Sequence, residues 1–109
     1  MSETRYQLRY LPLFYEDVLE KVSYIRDILH NPQAASDLIE DMEAAILERQ
    51  PVAEAFEPFR SARERRYPYY RIYVRNYVVY YVVIDDEGPD KIMEVRRFLY
   101  NKQDREQLL

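Results

Sequence analysis

The chain has 109 residues, 48% hydrophobic and 33% charged, which suits one domain over residues 1–109 and leaves no room for a second. It has no cysteine, which removes disulfides, thiolate catalysis and cysteine-based metal sites. Its longest apolar run, Tyr77–Ile84, is far below the roughly 20 residues that span a bilayer, so a soluble cytoplasmic protein with no membrane partner is expected.

The formal charge of −4 weighs against a general nucleic-acid binder, but it is unevenly spread. Residues 1–59 carry five basic and twelve acidic side chains, and residues 60–102 carry ten basic and six acidic. This split predicts a face for an anionic partner. Thirteen of the sixteen basic residues are arginine, which favours bidentate contacts to carboxylate or phosphate.

In chain order, residues 6–11 alternate as a first strand with Tyr6, Leu8 and Tyr10 inward, and Pro12 ends the ladder. Phe14, Val18, Val22, Ile25 and Leu29 then recur at steps of four or three. That period predicts an amphipathic helix with Glu16, Asp17, Glu20, Lys21, Arg26 and Asp27 on its wet face. The run His30-Asn31-Pro32 ends it and starts a second helix, with Asn31 as N-cap and Ala35, Leu38, Ile39, Met42 and Ile46 inward. So short a turn makes a helical hairpin, whose apolar stripe should lie across a sheet. Residues 52–67 form a long connection containing Arg60, Arg63, Arg65 and Arg66, and a connection of that length is more often functional than idle.

Residues 66–85 are the densest aromatic stretch, with seven of the twelve tyrosines interleaved with valine and isoleucine. They read as a hairpin turning at Asn76, with Tyr70, Ile72 and Val74 packed and Tyr69, Arg71, Tyr73 and Arg75 on the wet face. The second arm is apolar on both faces and should be the central strand. After an acidic turn holding the only glycine, Lys91–Tyr100 is the last strand, with Arg97 near the core or at its rim. Residues 101–109 are expected to form a short helix or a frayed end. The result is an α+β domain: an N-terminal strand, then a helical hairpin packed on one face of an antiparallel sheet that three C-terminal strands complete.

Four segments together resemble a known family. They are Ile28-Leu29-His30-Asn31-Pro32-Gln33-Ala34-Ala35, the helical run from Leu38 to Ile46, the hairpin run from Tyr70 to Tyr81, and Val95-Arg96-Arg97-Phe98-Leu99-Tyr100-Asn101-Lys102-Gln103-Asp104. In order and combination they look like the RelE/ParE superfamily of toxins from bacterial type II toxin–antitoxin modules, also known from plasmid stabilisation. The resemblance implies a cytoplasmic toxin that inhibits growth and is neutralised by a cognate antitoxin. Its target would be either the ribosome and mRNA, by ribosome-dependent cleavage, or DNA gyrase. The family's last strand closes on an arginine, a His or Tyr, a basic residue and Asp, places filled here by Arg97, Tyr100, Lys102 and Asp104. Val78 stands where the nuclease branch usually has an arginine, which weighs against cleavage.

Metal-free RNA cleavage needs a base, an acid and cations for the charged phosphorane. Arg71 and Arg97 are candidates to hold the phosphate and Tyr100 to give a proton, with Lys102 or Arg75 adding charge. The structural alternative leaves Arg71 and Arg75 on a solvated strand, pairs Arg97 with a helix carboxylate and packs Tyr100 at the sheet end. Antitoxin carboxylates are expected on Arg71, Arg75 and the run holding Arg60, Arg63 and Arg66, with Asp104 a further binding residue, since Tyr and Arg are enriched at interface hot spots. A degenerate, non-toxic relative that only binds protein is a third reading. No cofactor or metal is expected: His30 reads as a helix-end residue, the carboxylates from Asp85 to Asp90 lack the spacing of a calcium loop, and no glycine-rich phosphate loop is present.

Overall fold

Alternation of Tyr6, Leu8 and Tyr10 with exposed neighbours gives the first strand, β1 (Tyr6–Tyr10). The computed structural model describes residues 5–59, 66–103 and 108–109. Pro12 does not merely end β1; it opens helix α1 (Pro12–Ser23), because a proline at the first helical position forfeits an N–H that has no partner there anyway. A π-helical turn, Tyr24–Ile28, follows without a break. In it the Leu29 amide reaches back five residues to the Tyr24 carbonyl at 3.0 Å. This wide turn breaks the period of four and three on which Leu29 was expected to face inward, and Leu29 is exposed. His30 ends the helix with φ +52, the left-handed conformation common just past a helix terminus.

Helix α2 (Pro32–Arg49) starts as the sequence predicts, with the Asn31 side chain accepting from the Ala34 amide at 3.1 Å. Asn31→Ala is expected to cost about 1 kcal/mol, because it leaves that amide without its cap. Urea unfolding checks this; an unchanged midpoint would show that the cap is idle. Ala35, Leu38, Met42 and Ile46 are buried on the inner stripe, as expected.

Three strands follow: β2 (Tyr70–Val74), β3 (Tyr77–Ile84) and β4 (Lys91–Tyr100). The sheet order is β1-β4-β3-β2, and β3 is central in character, buried along seven of its eight residues. The sheet is mixed, not antiparallel as expected: β1 runs parallel to β4, pairing Tyr6 with Lys91 through Tyr10 with Val95. Parallel neighbours need a long crossover, and the whole of α1, α2, β2 and β3 lies between these two. An alternating strand of five residues carries no mark of which neighbour it will choose.

Both faces of the sheet are covered. On the helix side, Phe14, Leu38, Met42 and Ile46 pack on Tyr70, Ile72, Val79, Tyr81, Val95 and Phe98. On the second side, Tyr69, Val78, Tyr80, Val82, Ile84, Ile92, Leu99 and Leu109 form another apolar cluster with Phe59 and Leu108. Tyr69, expected on a wet face, is buried there. β4 carries a bulge: Tyr80 opposes Arg97, but the next residue, Tyr81, opposes Val95. The skipped Arg96 changes the phase of the strand, so Arg97 and Leu99 face the second side and Phe98 the helix side. Strict alternation through Lys91–Tyr100 would instead put Arg97 and Leu99 on the side of Met93 and Val95.

Candidate functional site

The register places Arg71, Tyr80 and Arg97 in one row across β2, β3 and β4, since Tyr80 pairs with Arg71 on one side and Arg97 on the other. Directly opposed residues project to the same face, so these two arginines share the second side of the sheet.

Arg97 is committed. Its Nε and Nη2 donate to the two carboxylate oxygens of Asp17 at 2.8 and 3.0 Å, and Nη1 donates to the Leu108 carbonyl at 2.6 Å. Asp17 also accepts from the Phe98 amide at 3.0 Å. The reason lies in the length of β1. The pairing of β1 with β4 ends at Val95, whose carbonyl takes the Leu11 amide, and Pro12 turns the chain into α1. Beyond that point β4 would present unpaired amides, and Asp17 on α1 supplies the acceptor that a longer strand would have given. Asp17 and Arg97 are 7% and 14% exposed, so this is a buried, bidentate pair with a third hydrogen bond. The Asp17 hydrogen bond pushes the Arg97 pKa above its ordinary value.

Arg71 is half-buried, its guanidinium 4.9 Å from the Phe59 ring centroid and 5.8 Å from that of Tyr73, and it forms no ion pair among the described residues. Arg75 leaves the row altogether. It sits in the two-residue turn with φ +55, and its Nε donates to Asp41 of α2 at 2.7 Å, which ties the hairpin tip to the helix side. Arg66 pairs with Asp86, which also accepts from the Tyr67 hydroxyl. Lys102 is exposed just past the end of β4. Arg60, Arg63 and Asp104 lie outside the described residues.

Tyr100 pairs with Tyr77 and so faces the helix side, away from Arg71 and Arg97. It lines a cleft of about 520 Å3 with Glu20, Lys21, Tyr24, Tyr77 and Gln103. The four residues expected to carry chemistry are therefore not gathered: two share a row, one lies across the sheet from them, and Lys102 is beyond the strand.

The described carboxyls with shifted pKa values, Asp27, Glu54, Asp86 and Glu94, are all shifted down and hold no proton to give near neutral pH. Burial, with a hydrogen bond to Glu54 next, pushes Tyr6 up to about 12, and burial likewise raises Tyr70, Tyr77 and Tyr81, so these phenols stay protonated. Among the described residues no group of three or more histidines and carboxylates is placed to hold a metal ion. No described helix is long and apolar enough to cross a membrane.

Two buried carboxylates escaped the sequence reading. Asp17 was set on the wet face of α1, yet Phe14, Asp17 and Lys21 follow the same helical steps as a buried stripe and are buried together. Glu94 is held in a second cluster, accepting from Arg9 Nε at 2.7 Å and Arg96 Nε at 2.8 Å, with Glu87 also near Arg9.

A second feature of the surface is apolar. Tyr10, Phe14, Tyr15, Val18, Ile39, Met42 and Leu47, with Glu43 at the edge, line a groove of about 310 Å3 between α1 and α2. Leu19 and Leu47 on these helices are 63% and 57% exposed. No protein-family model matches the chain, and no curated protein matches it either.

Proposed function

We propose that this chain is the growth-inhibiting member of a bacterial toxin–antitoxin pair of the RelE/ParE type, that it acts by binding its target and not by cutting RNA, and that a cognate antitoxin neutralises it. The observation that carries the reading is the apolar groove between α1 and α2. Its open walls and the exposed Tyr15, Leu19 and Leu47 suit the apolar face of a partner's amphipathic helix. The order of strand, two helices and three strands, with the helices across one face, agrees with the family resemblance.

The choice of binding over cleavage is supported by the separation of Tyr100 from the arginine row and by the engagement of Arg97 with Asp17. DNA gyrase is then the favoured target. Antitoxin carboxylates would meet Arg71, which has no ion pair among the described residues, and would have to displace Asp41 and Asp86 to reach Arg75 and Arg66. The test is to induce the chain alone in bacteria and follow DNA-damage signalling, protein synthesis and transcript integrity over the first minutes. The reading expects damage signalling first, with transcripts intact. Early mRNA fragmentation overturns the binding mode, and growth without any defect overturns the toxin assignment.

A further inference from the structure

Asp17, Lys21 and Glu94 are the buried charged side chains among the described residues. The two carboxylates are matched by close partners at 2.7 to 3.0 Å, Asp17 by Arg97 and the Phe98 amide, and Glu94 by Arg9 and Arg96. Lys21 is treated differently. Only 8% of its side chain is exposed, and its ion pair is with Glu20 at 3.4 Å, a helix neighbour whose own side chain is 73% exposed. Adjacent positions on a helix do not face each other, and a solvated carboxylate at that distance adds little. Asp17, one turn earlier, is already neutralised by Arg97. An ammonium has three protons to donate, and burying it without close acceptors costs free energy that a ligand anion would return.

Lys21 lines the 520 Å3 cleft beside Tyr100. Three tyrosines, Tyr24, Tyr77 and Tyr100, stand in its walls. Tyr77 stacks on buried Phe98 with centroids 5.2 Å apart and meets Tyr100 edge-on at 5.8 Å, while Tyr24 comes from the first position of the π-helical turn. π-Helical turns often border functional sites. Gln103 closes one end, its side-chain oxygen taking the Tyr100 amide at 2.6 Å and its amide nitrogen remaining a donor. Burial, and then the neighbouring Tyr100 and Tyr24, keep the Tyr77 phenol protonated and able to donate. The cleft thus combines a buried cation, phenolic donors and flat ring faces, with the solvated Glu20 carboxylate the one acid in its lining, in a volume that holds a single small molecule.

We propose that this cleft binds a small molecule carrying a carboxylate or phosphate on a planar ring, with the anion on Lys21 and the ring against Tyr77 and Tyr100. It lies on the other side of the sheet from Arg71 and Arg97 and does not depend on growth inhibition.

The test is a binding titration of the purified full chain with phenyl phosphate and with benzoate, alongside inorganic phosphate and benzyl alcohol, read by calorimetry and by shifts of tyrosine ring NMR signals. At least one ring-bearing anion should bind saturably and about tenfold or more tighter than inorganic phosphate or benzyl alcohol, and the tighter of the two identifies the head group. Lys21→Met should weaken it about tenfold or more while Lys21→Arg retains it. Should Lys21→Met fail to fold, Tyr100→Ala at a partly exposed position carries the test, with the same expected loss. Equal binding by the variant that folds, inorganic phosphate binding as tightly as the ring-bearing anions, or no saturable binding of either would overturn the proposal.

Discussion

Asp17→Ala is expected to destabilise the chain by about 3 to 5 kcal/mol, more than a typical surface carboxylate, because it strands a buried guanidinium and a strand amide at once. Arg97 would lose its bidentate partner at 2.8 and 3.0 Å, and the Phe98 amide would lose its acceptor at 3.0 Å. Water could replace neither well at 7% and 14% exposure. Arg97→Ala should also destabilise, since Asp17 would then be a buried charge with one backbone donor. The combined change Asp17→Asn with Arg97→Gln should cost clearly less than either alanine variant, because the amide oxygen can still accept from Phe98 and no charge is left bare. Urea denaturation of the three variants checks this, and a loss under about 1 kcal/mol for Asp17→Ala would show the pair to be ornamental.

Glu94→Gln is expected to lose about 1.5 to 3 kcal/mol at neutral pH and to flatten the acid side of the stability profile. Burial pushes the Glu94 carboxyl up, but the hydrogen bonds from Arg9 and Arg96 outweigh it and hold it below the ordinary value of 4.5. A carboxyl depressed in the folded state contributes stability that is fully present above its unfolded pKa. That stability is lost as pH falls from about 4.5 through the folded value. The native chain should therefore weaken on acidification below pH about 4.5 more steeply than Glu94→Gln does. Glu54, also held low by Lys91 and Tyr6, titrates in both proteins and leaves some acid dependence in the variant. Free energies of unfolding between neutral and acid pH decide the matter, and parallel profiles would contradict it.

Much of the fold is legible in the residues because periodicity reports burial directly. The alternation of β1, the inner stripe of α2, the Asn31 cap and the two-sided apolar run of β3 each follow from local spacing. What stayed hidden depends on contacts far apart in sequence. The partner of β1 is chosen by the crossover, the bulge at Arg96 by the fit of β4 against β3, and the role of Asp17 by where β1 happens to end. The π-helical turn after Ser23 has no signature in the sequence, and it is what turns Leu29 outward; Tyr24 reaches the cleft by ordinary helical spacing from Glu20 and Lys21.

The candidate site was legible only as a set of residue types. Arg71 and Arg97 do share a row, because an antiparallel register preserves facing pairs. Arg75 is separated from them by a turn conformation with positive φ, and Tyr100 by plain alternation, since it lies three residues beyond Arg97 with an unbroken register between them. The pairing of Arg97 with a helix carboxylate was contained in the structural alternative of the sequence reading, although Asp17 itself had been placed on the wet face.

The measurement that bears most directly on the proposal of a toxin that works by binding is growth arrest by the Asp17→Asn, Arg97→Gln double variant, with its fold verified by circular dichroism. If Arg97 serves to hold β4 to α1, the variant still arrests growth when induced alone. A folded variant that no longer arrests growth, while the native chain does, would show that the Arg97 guanidinium acts on the target and would contradict the account.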